Sequence, residues 1–498
     1  MKSGSTKSKA AITLLTIAVF AFFLIFFYHI HPIVLYDGDD WTYISYSRAA
    51  LPSTKFFNPC RIFPEVFMSL CGSIAAFAVY PVTGQYMRAQ TLVMAIAYSV
   101  FISLYVRELV LFLQKKFRLN HTGLLSIAVI FLIFHFMAFR TENSGNTYLF
   151  WSKDATCFFY YNIPILMNAI LSMWILRGGI PDFKSHSDYL KKSIFVLLVY
   201  FSILSNMFAN IITAGTIAAV LVIRLAVMLK KKERFAGFLK ENLCVVIIEL
   251  FWLAASVIEM SGDRAAEAYS GSSAFNNIIS NLGYAFGYYR DSVFSMNRIL
   301  IAFIVLVLLL SIAVCALKRN FKTLRMLPVA LLSFVFVSVL LVGLSAASVP
   351  SYAGLSTNML APLFFLFLVA ACCMSAVLEM FEPATITIPL LAVILFSLTN
   401  TSSGTFIECN DTGFSAKACT EIGEYLVSQY READEAGLSS FELHVLRCGS
   451  EENWPHACFL PERMTNTMLK HGIITRDMDV TLCRDHDVNE RFNVTCWD

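Results

Sequence analysis

A succession of apolar runs constrains this chain of 498 residues more than any other feature, because several of them reach the roughly 20 residues that a helix needs to cross a bilayer. Inside hydrocarbon a backbone must satisfy its own N–H and C=O groups, so such runs become helices packed against one another. Hydrophobic residues make up 57% of the chain and charged residues 15%, a balance that excludes an ordinary water-soluble domain. The expectation is an all-α polytopic membrane protein.

Basic stretches orient it. Residues 2–9, 115–118, 177–192, 230–234 and 318–325 carry the Lys/Arg excess of cytoplasmic loops. With these inside, eleven crossings are expected near 11–31, 88–113, 122–140, 157–176, 193–207, 210–229, 240–260, 293–317, 326–346, 359–380 and 384–400. The N-terminus is then cytoplasmic and the C-terminus exoplasmic. The run 11–31 lacks a small-residue cleavage site before His31-Pro32 and reads as a retained helix. The apolar run 66–82 is read as interfacial or re-entrant, since counting it would put 115–118 outside; its short length, Gly72 and Pro81 suit that role.

The chain divides near residue 400. Residues 1–400 hold 30 Lys and Arg against 18 Asp and Glu, whereas residues 401–498 hold 8 against 17. The second part is too charged to enter lipid and reads as a small exoplasmic α/β domain, acidic and unsuited to nucleic acid. It also contains Cys409, Cys419, Cys448, Cys458, Cys483 and Cys496, an even set that points to disulfides on an oxidising face. No closely spaced Cys-x-x-Cys pair occurs there, so zinc is not expected from spacing.

The first exoplasmic loop, 36–87, opens with "LYDGDDWTYIS", which places Asp37, Asp39 and Asp40 within four positions. Carboxylates so close together repel unless a cation, a ligand or a raised pKa relieves them. Trp41, Tyr43 and Tyr46 follow, and "FFNPCRIFPE" brings Arg61 into the same loop, where Arg48 and Arg61 could balance the aspartates. A structural reading, in which the acids cap the end of the first helix, stands beside the functional one.

The D-D-x-x-Y order at Asp39, Asp40 and Tyr43, directly after an inside-to-outside first helix, resembles the first-loop signature of GT-C membrane glycosyltransferases. Residues 148–165, through Trp151, Tyr161 and Pro164, are similar to the W-x(n)-Y-x-x-P loop of the bacterial branch that includes O-antigen glucosyltransferases. "EMSGDRA", residues 259–265, is similar to that branch's P-G-N-x-x-R loop. It departs from it in Ser261, in Asp263 and in the early Arg264. The resemblance covers about residues 11–400 and implies a protein of a bacterial plasma membrane.

The resemblance further implies an inverting transfer of a sugar from a polyprenyl-phosphate donor to a cell-surface glycan or lipid-linked acceptor. In that chemistry a carboxylate takes the acceptor's hydroxyl proton. Asp39 is the expected base, with Asp40 orienting it or sharing Mg²⁺ or Mn²⁺ with it, since hard oxygen ligands suit those ions. Asp37, Tyr43, Arg61, Trp151, Lys153, Tyr161 and Arg264 are the expected substrate contacts, the cations facing the lipid-linked phosphate. The rival reading is a transporter or flippase of a lipid-linked glycan, for which the mid-helix Glu249 is the suspect. His29 and His31 read as interfacial residues, and Asn206 and Asn210 as helix caps.

The orientation has a direct check. A membrane-impermeant thiol reagent applied to intact cells after reduction is expected to label the 401–498 segment; labelling only after permeabilisation would reverse the topology.

Overall fold

The computed structural model describes residues 2–51, 58–140, 146–232, 234–262, 274–381, 406, 414–447 and 460–495. In chain order, the first half of the membrane part comprises α1 (Lys9–Ile30), α2 (Gly38–Tyr43), α3 (Pro59–Thr83), α4 (Tyr86–Lys116), α5 (His121–Met137), α6 (Ala155–Leu176) and α7 (Tyr189–Ile203). The second half comprises α8 (Met207–Lys231), α9 (Phe235–Met260), α10 (Ala274–Phe294), α11 (Arg298–Leu317), α12 (Phe321–Ala347) and α13 (Ser356–Leu378). The tail adds α14 (Ala416–Glu435), β1 (Ser440–Leu446), α15 (Leu460–Lys470), β2 (Asp479–Asp485) and α16 (His486–Phe492).

Among the described residues, nine helices (α1, α3, α4, α6, α8, α9, α11, α12 and α13) are long and apolar enough to cross a membrane, and α5 is a shorter apolar helix. The protein is thus an all-α polytopic one with a small sheet. Five features differ from the sequence expectation. Two of the expected crossings, 122–140 and 193–207, are met only by the 17-residue α5 and the 15-residue α7. The run 66–82 belongs to a helix of 25 residues. Part of the stretch between the expected spans 240–260 and 293–317 is helical, where α10 packs against α12 and the 3₁₀ turn Pro350–Gly354. The eleventh expected span, 384–400, lies outside the described residues.

Local signals set the helix starts. Asn120, Asn206 and Asn297 cap α5, α8 and α11, each accepting from the backbone N–H two or three residues on. Proline occupies the first turn of α3 and of the α-helical part of α12, Leu327–Ala347, where its missing N–H costs nothing. At the centre, α6 and α13 are covered on nearly all sides. Around them α4 packs on α1 and α6, and α8 packs on α12 and α6. Gly215 lets α8 approach α12 closely, since a Cβ there would stand 2.6 Å from Val337 Cγ2.

The two ends of the bundle differ in charge. At one end the basic segments meet: Arg325 donates to the Lys116 carbonyl at 3.2 Å, and Arg177 pairs with Glu108. At the other end lie α2, the α7–α8 turn and the tail. The 3₁₀ turn that opens α3 touches this end, where Cys60 N–H donates to Glu259 at 3.0 Å and Phe63 N–H to the Leu204 carbonyl at 2.9 Å. Phe77, near the other end of α3, lies against His471 of the tail. Both ends of α3 therefore meet elements of the same face of the bundle.

In the tail, β1 and β2 pair in parallel, joined by a crossover that contains α15. The tail docks on the start of α4. Glu424 accepts from Met87 N–H at 2.7 Å, and the Tyr86 hydroxyl meets His471 Nδ1 at 2.6 Å.

Gly72 of α3 lies against the Ile44 carbonyl, and a Cβ there would come within 2.1 Å of that oxygen. Gly72→Ala is expected to destabilise the protein by about 1–3 kcal/mol through backbone overpacking. At Gly283 a Cβ would meet nothing within 4 Å, so Gly283→Ala is expected to be neutral or to stabilise by up to about 1 kcal/mol. Thermal unfolding in detergent distinguishes the two.

Candidate functional site

The three loop acids have three different surroundings. Asp37 is the N-cap of α2 and forms a capping box with Asp40: its carboxylate accepts from Asp39 N–H at 2.8 Å, while Asp37 N–H donates to Asp40 Oδ2 at 3.2 Å. Asp40 is fully buried. Its Oδ2 also accepts from Tyr36 N–H at 3.1 Å, and its Oδ1 accepts from both the Thr156 N–H and the Thr156 hydroxyl at 2.7 Å. Thr156 lies in the first turn of α6, so Asp40 fastens α2 to that helix N-terminus, where the backbone field favours an anion.

Asp154, buried beside it, caps the same helix and accepts from Cys157 N–H at 2.5 Å. Burial pushes Asp154 up to about 6, with Asp37 adding to it. Burial also raises Asp40 well above the ordinary carboxylate range, with Asp154 and then Asp37 adding to it. Asp40 and Asp154 share one dry corner, with the half-buried Asp37 at its edge.

Asp39 points the other way. It is exposed and pairs with Arg463 of α15 at 2.8 Å. Thr467, one turn further along α15, donates to the Trp41 carbonyl and meets Ser45 Oγ at 2.7 Å. The tail therefore grips α2 along its length. Arg48 and Arg61, the cations expected to balance the aspartates, instead pair with Glu65 at 2.6 and 3.7 Å. Their carboxylate partner lies in α3, close in sequence to Arg61, whereas the partner of Asp39 comes from the tail.

Tyr43 lies one turn beyond Asp39 on the same face of α2, and its ring meets that of Tyr160 at 5.1 Å. The Arg61 guanidinium stands 5.5 Å from the centre of the same Tyr160 ring. Arg61, Tyr160 and Tyr161 line a cavity of about 220 Å³ with Phe208, Glu259 and Tyr352. The cavity opens beside the ends of α8, α9 and α12, and Tyr161 lies within electrostatic reach of both Asp154 and Arg61. Just before Pro164 the helix widens into a π turn, Phe158–Asn162, which carries both tyrosines.

Of the other expected contacts, Trp151 packs half-buried against the core and Lys153 is exposed beside Asp154. Arg264 lies outside the described residues. Asn206 caps α8 as the sequence indicates, whereas Asn210 is no cap but lies buried within α8, donating to the Ile203 carbonyl at 2.9 Å and accepting from the Trp252 indole at 2.9 Å, and His31, expected at the interface, is buried against the Tyr148 hydroxyl. Asp154, Thr156, Glu65, Glu259 and Arg463 enter the site without having been singled out. Glu65 and Glu259 carry a sequence signal, as acids set beside apolar residues.

In comparisons with known proteins, no family model, no curated protein and no solved structure matches this chain.

The raised Asp154 makes a pH prediction. An unfolded aspartate titrates near about 3.9, so between about pH 4 and about pH 6 the folded chain holds a proton that the unfolded chain has lost. The contribution of Asp154 favours folding below that window and is lost as pH rises through it. Asp154→Asn, which keeps the acceptor for Cys157, is expected to flatten the fall in thermal midpoint between about pH 4 and about pH 7 relative to the native protein. An unchanged pH dependence would refute the protonated Asp154.

Proposed function

We propose that the protein is a GT-C-like membrane glycosyltransferase that moves a sugar from a polyprenyl-phosphate donor to a glycan or lipid-linked acceptor at the exoplasmic face. The observation that carries the reading is α2: its exposed Asp39 and its Tyr43 share the face whose far end touches Tyr160, on the wall of a bundle-end cavity that also holds Arg61. An apolar cavity with a guanidinium at the membrane boundary suits an isoprenoid chain ending in phosphate. In this reading α3 lies along the exoplasmic face, because both of its ends contact elements there. The N-terminus is cytoplasmic and the tail exoplasmic, in a bacterial plasma membrane.

In the transfer, the acceptor hydroxyl attacks the anomeric carbon from the side opposite the phosphate as Asp39 takes its proton. The C–O bond to phosphate breaks with its electron pair, and Arg61 stabilises the departing charge. Asp40 positions α2 and is not the base, since four donors already occupy its oxygens. A cation shared between Asp39 and Asp40 does not fit this geometry. Asp40 faces Thr156 and the backbone while Asp39 faces Arg463, so no step runs through Mg²⁺ or Mn²⁺.

A transporter is the second reading. Glu249, midway along α9, has a buried Oε2 with no hydrogen-bond partner among the described residues. Sugar transfer from a polyprenyl-phosphate donor by membranes containing equal amounts of each variant separates the two. Asp39→Asn is expected to lower transfer about 10²–10⁴-fold, the range for losing a positioned base, and Glu249→Gln to leave it largely intact. Near-normal transfer by Asp39→Asn would remove the assigned base, and loss confined to Glu249→Gln would favour transport.

A further inference from the structure

The parallel pairing of β1 and β2 sets His444 directly opposite Cys483 and Leu446 opposite Asp485. Side chains alternate along a strand, so Glu442 and His444 lie on one face of β1, and Cys483 and Asp485 lie on the matching face of β2. The opposite face carries Leu443 and Val445, both fully buried against the tail's core. The polar face is thus the open one. On it, a carboxylate oxygen of Glu442, an imidazole nitrogen of His444 and the Cys483 sulfur all lie within 4.8 Å of one another.

We propose that Glu442, His444 and Cys483 form a zinc site, with Asp485 as the group that orients the histidine. A thiolate, an imidazole and a carboxylate are together the donor set that suits Zn²⁺. The histidine is already held as a ligand requires. Its Nδ1 is 2.7 Å from Asp485 Oδ2, and a proton on Nδ1 leaves the Nε2 lone pair for a metal. Asp485 is itself fixed, because its Oδ1 caps α16 by accepting from Asp487 N–H at 2.9 Å.

The backbone of His444 is pinned on both sides by Gln429, whose amide accepts from His444 N–H at 2.8 Å and donates to the His444 carbonyl at 2.9 Å. Ligands on paired strands, braced in this way, are positioned before a metal arrives. Zinc bonds of about 2.0–2.3 Å require the three atoms to draw together, a closure that the exposed Glu442 side chain can make by rotating. A dication at this point would hold Cys483 as its thiolate. The fourth position is left for water or another side chain.

The assignment takes Cys483 out of the set of six expected to form disulfides. It was hidden from spacing because Glu442 and His444 lie about 40 residues before Cys483 and meet it only through strand pairing.

The test uses the full-length protein in detergent, stripped with a chelator and titrated with zinc alone, with bound metal counted by elemental analysis. About one zinc per chain is expected. His444→Ala and Cys483→Ser should each abolish binding at the concentrations that saturate the native protein. Glu442→Gln, an exposed change that leaves the fold intact, should weaken it at least about tenfold, and Asp485→Asn about 10–100-fold, the range for orienting groups. Cobalt should give a thiolate charge-transfer band that Cys483→Ser removes. The site is refuted if the native chain binds no zinc, if Cys483→Ser binds as the native does, or if mass spectrometry finds Cys483 in a disulfide.

Discussion

The carboxylate of Asp40 holds the site together. It carries a negative charge, or a proton, into a position with no access to water, and that is tolerable only because four donors from two segments converge on its two oxygens. Tyr36 and Asp37 belong to the chain leaving the first helix, and Thr156 begins α6. The one side chain therefore sets where α2 starts, where it lies and which face it turns outward. With Asp40 directed inward, Asp39 is directed outward and Tyr43 toward the cavity.

A second consequence is the crowding of Asp37, Asp40 and Asp154. Asp37 and Asp154 cap helix ends, an ordinary structural task, while burial raises Asp40 and Asp154, with their acidic neighbours adding to it. The cap reading of "LYDGDD" holds for Asp37 and Asp40. Asp37 and Asp40 build the short helix, and Asp39 is left facing the solvent and the tail.

The tail is bound into this arrangement. Arg463 and Thr467 lie one turn apart on α15 and reach Asp39 and Trp41, while His471 meets Tyr86, the ring stacked on Trp41. Two segments more than 400 residues apart in the chain share one set of contacts. Any movement of α15 therefore alters the surroundings of Asp39 directly, which ties the tail to whatever occupies the cavity mouth.

Periodicity and charge, both local properties, determined much by themselves. The apolar runs gave the helices, Asn206 gave a cap, and the acidic composition after residue 400 separated the tail from the bundle. What the sequence could not assign was partners, because an ion pair or hydrogen bond depends on where the chain returns. Arg61 went to Glu65 and not to an aspartate, Asp39 went to Arg463, and Asp40 went to Thr156. The two ends of α3 met the same face of the bundle although its length and apolarity would also serve a crossing. His444 and Cys483 became neighbours only through the register of two strands. Hydropathy acts residue by residue and can be read from the chain, whereas those pairings exist only once packing has brought distant segments within a few ångströms.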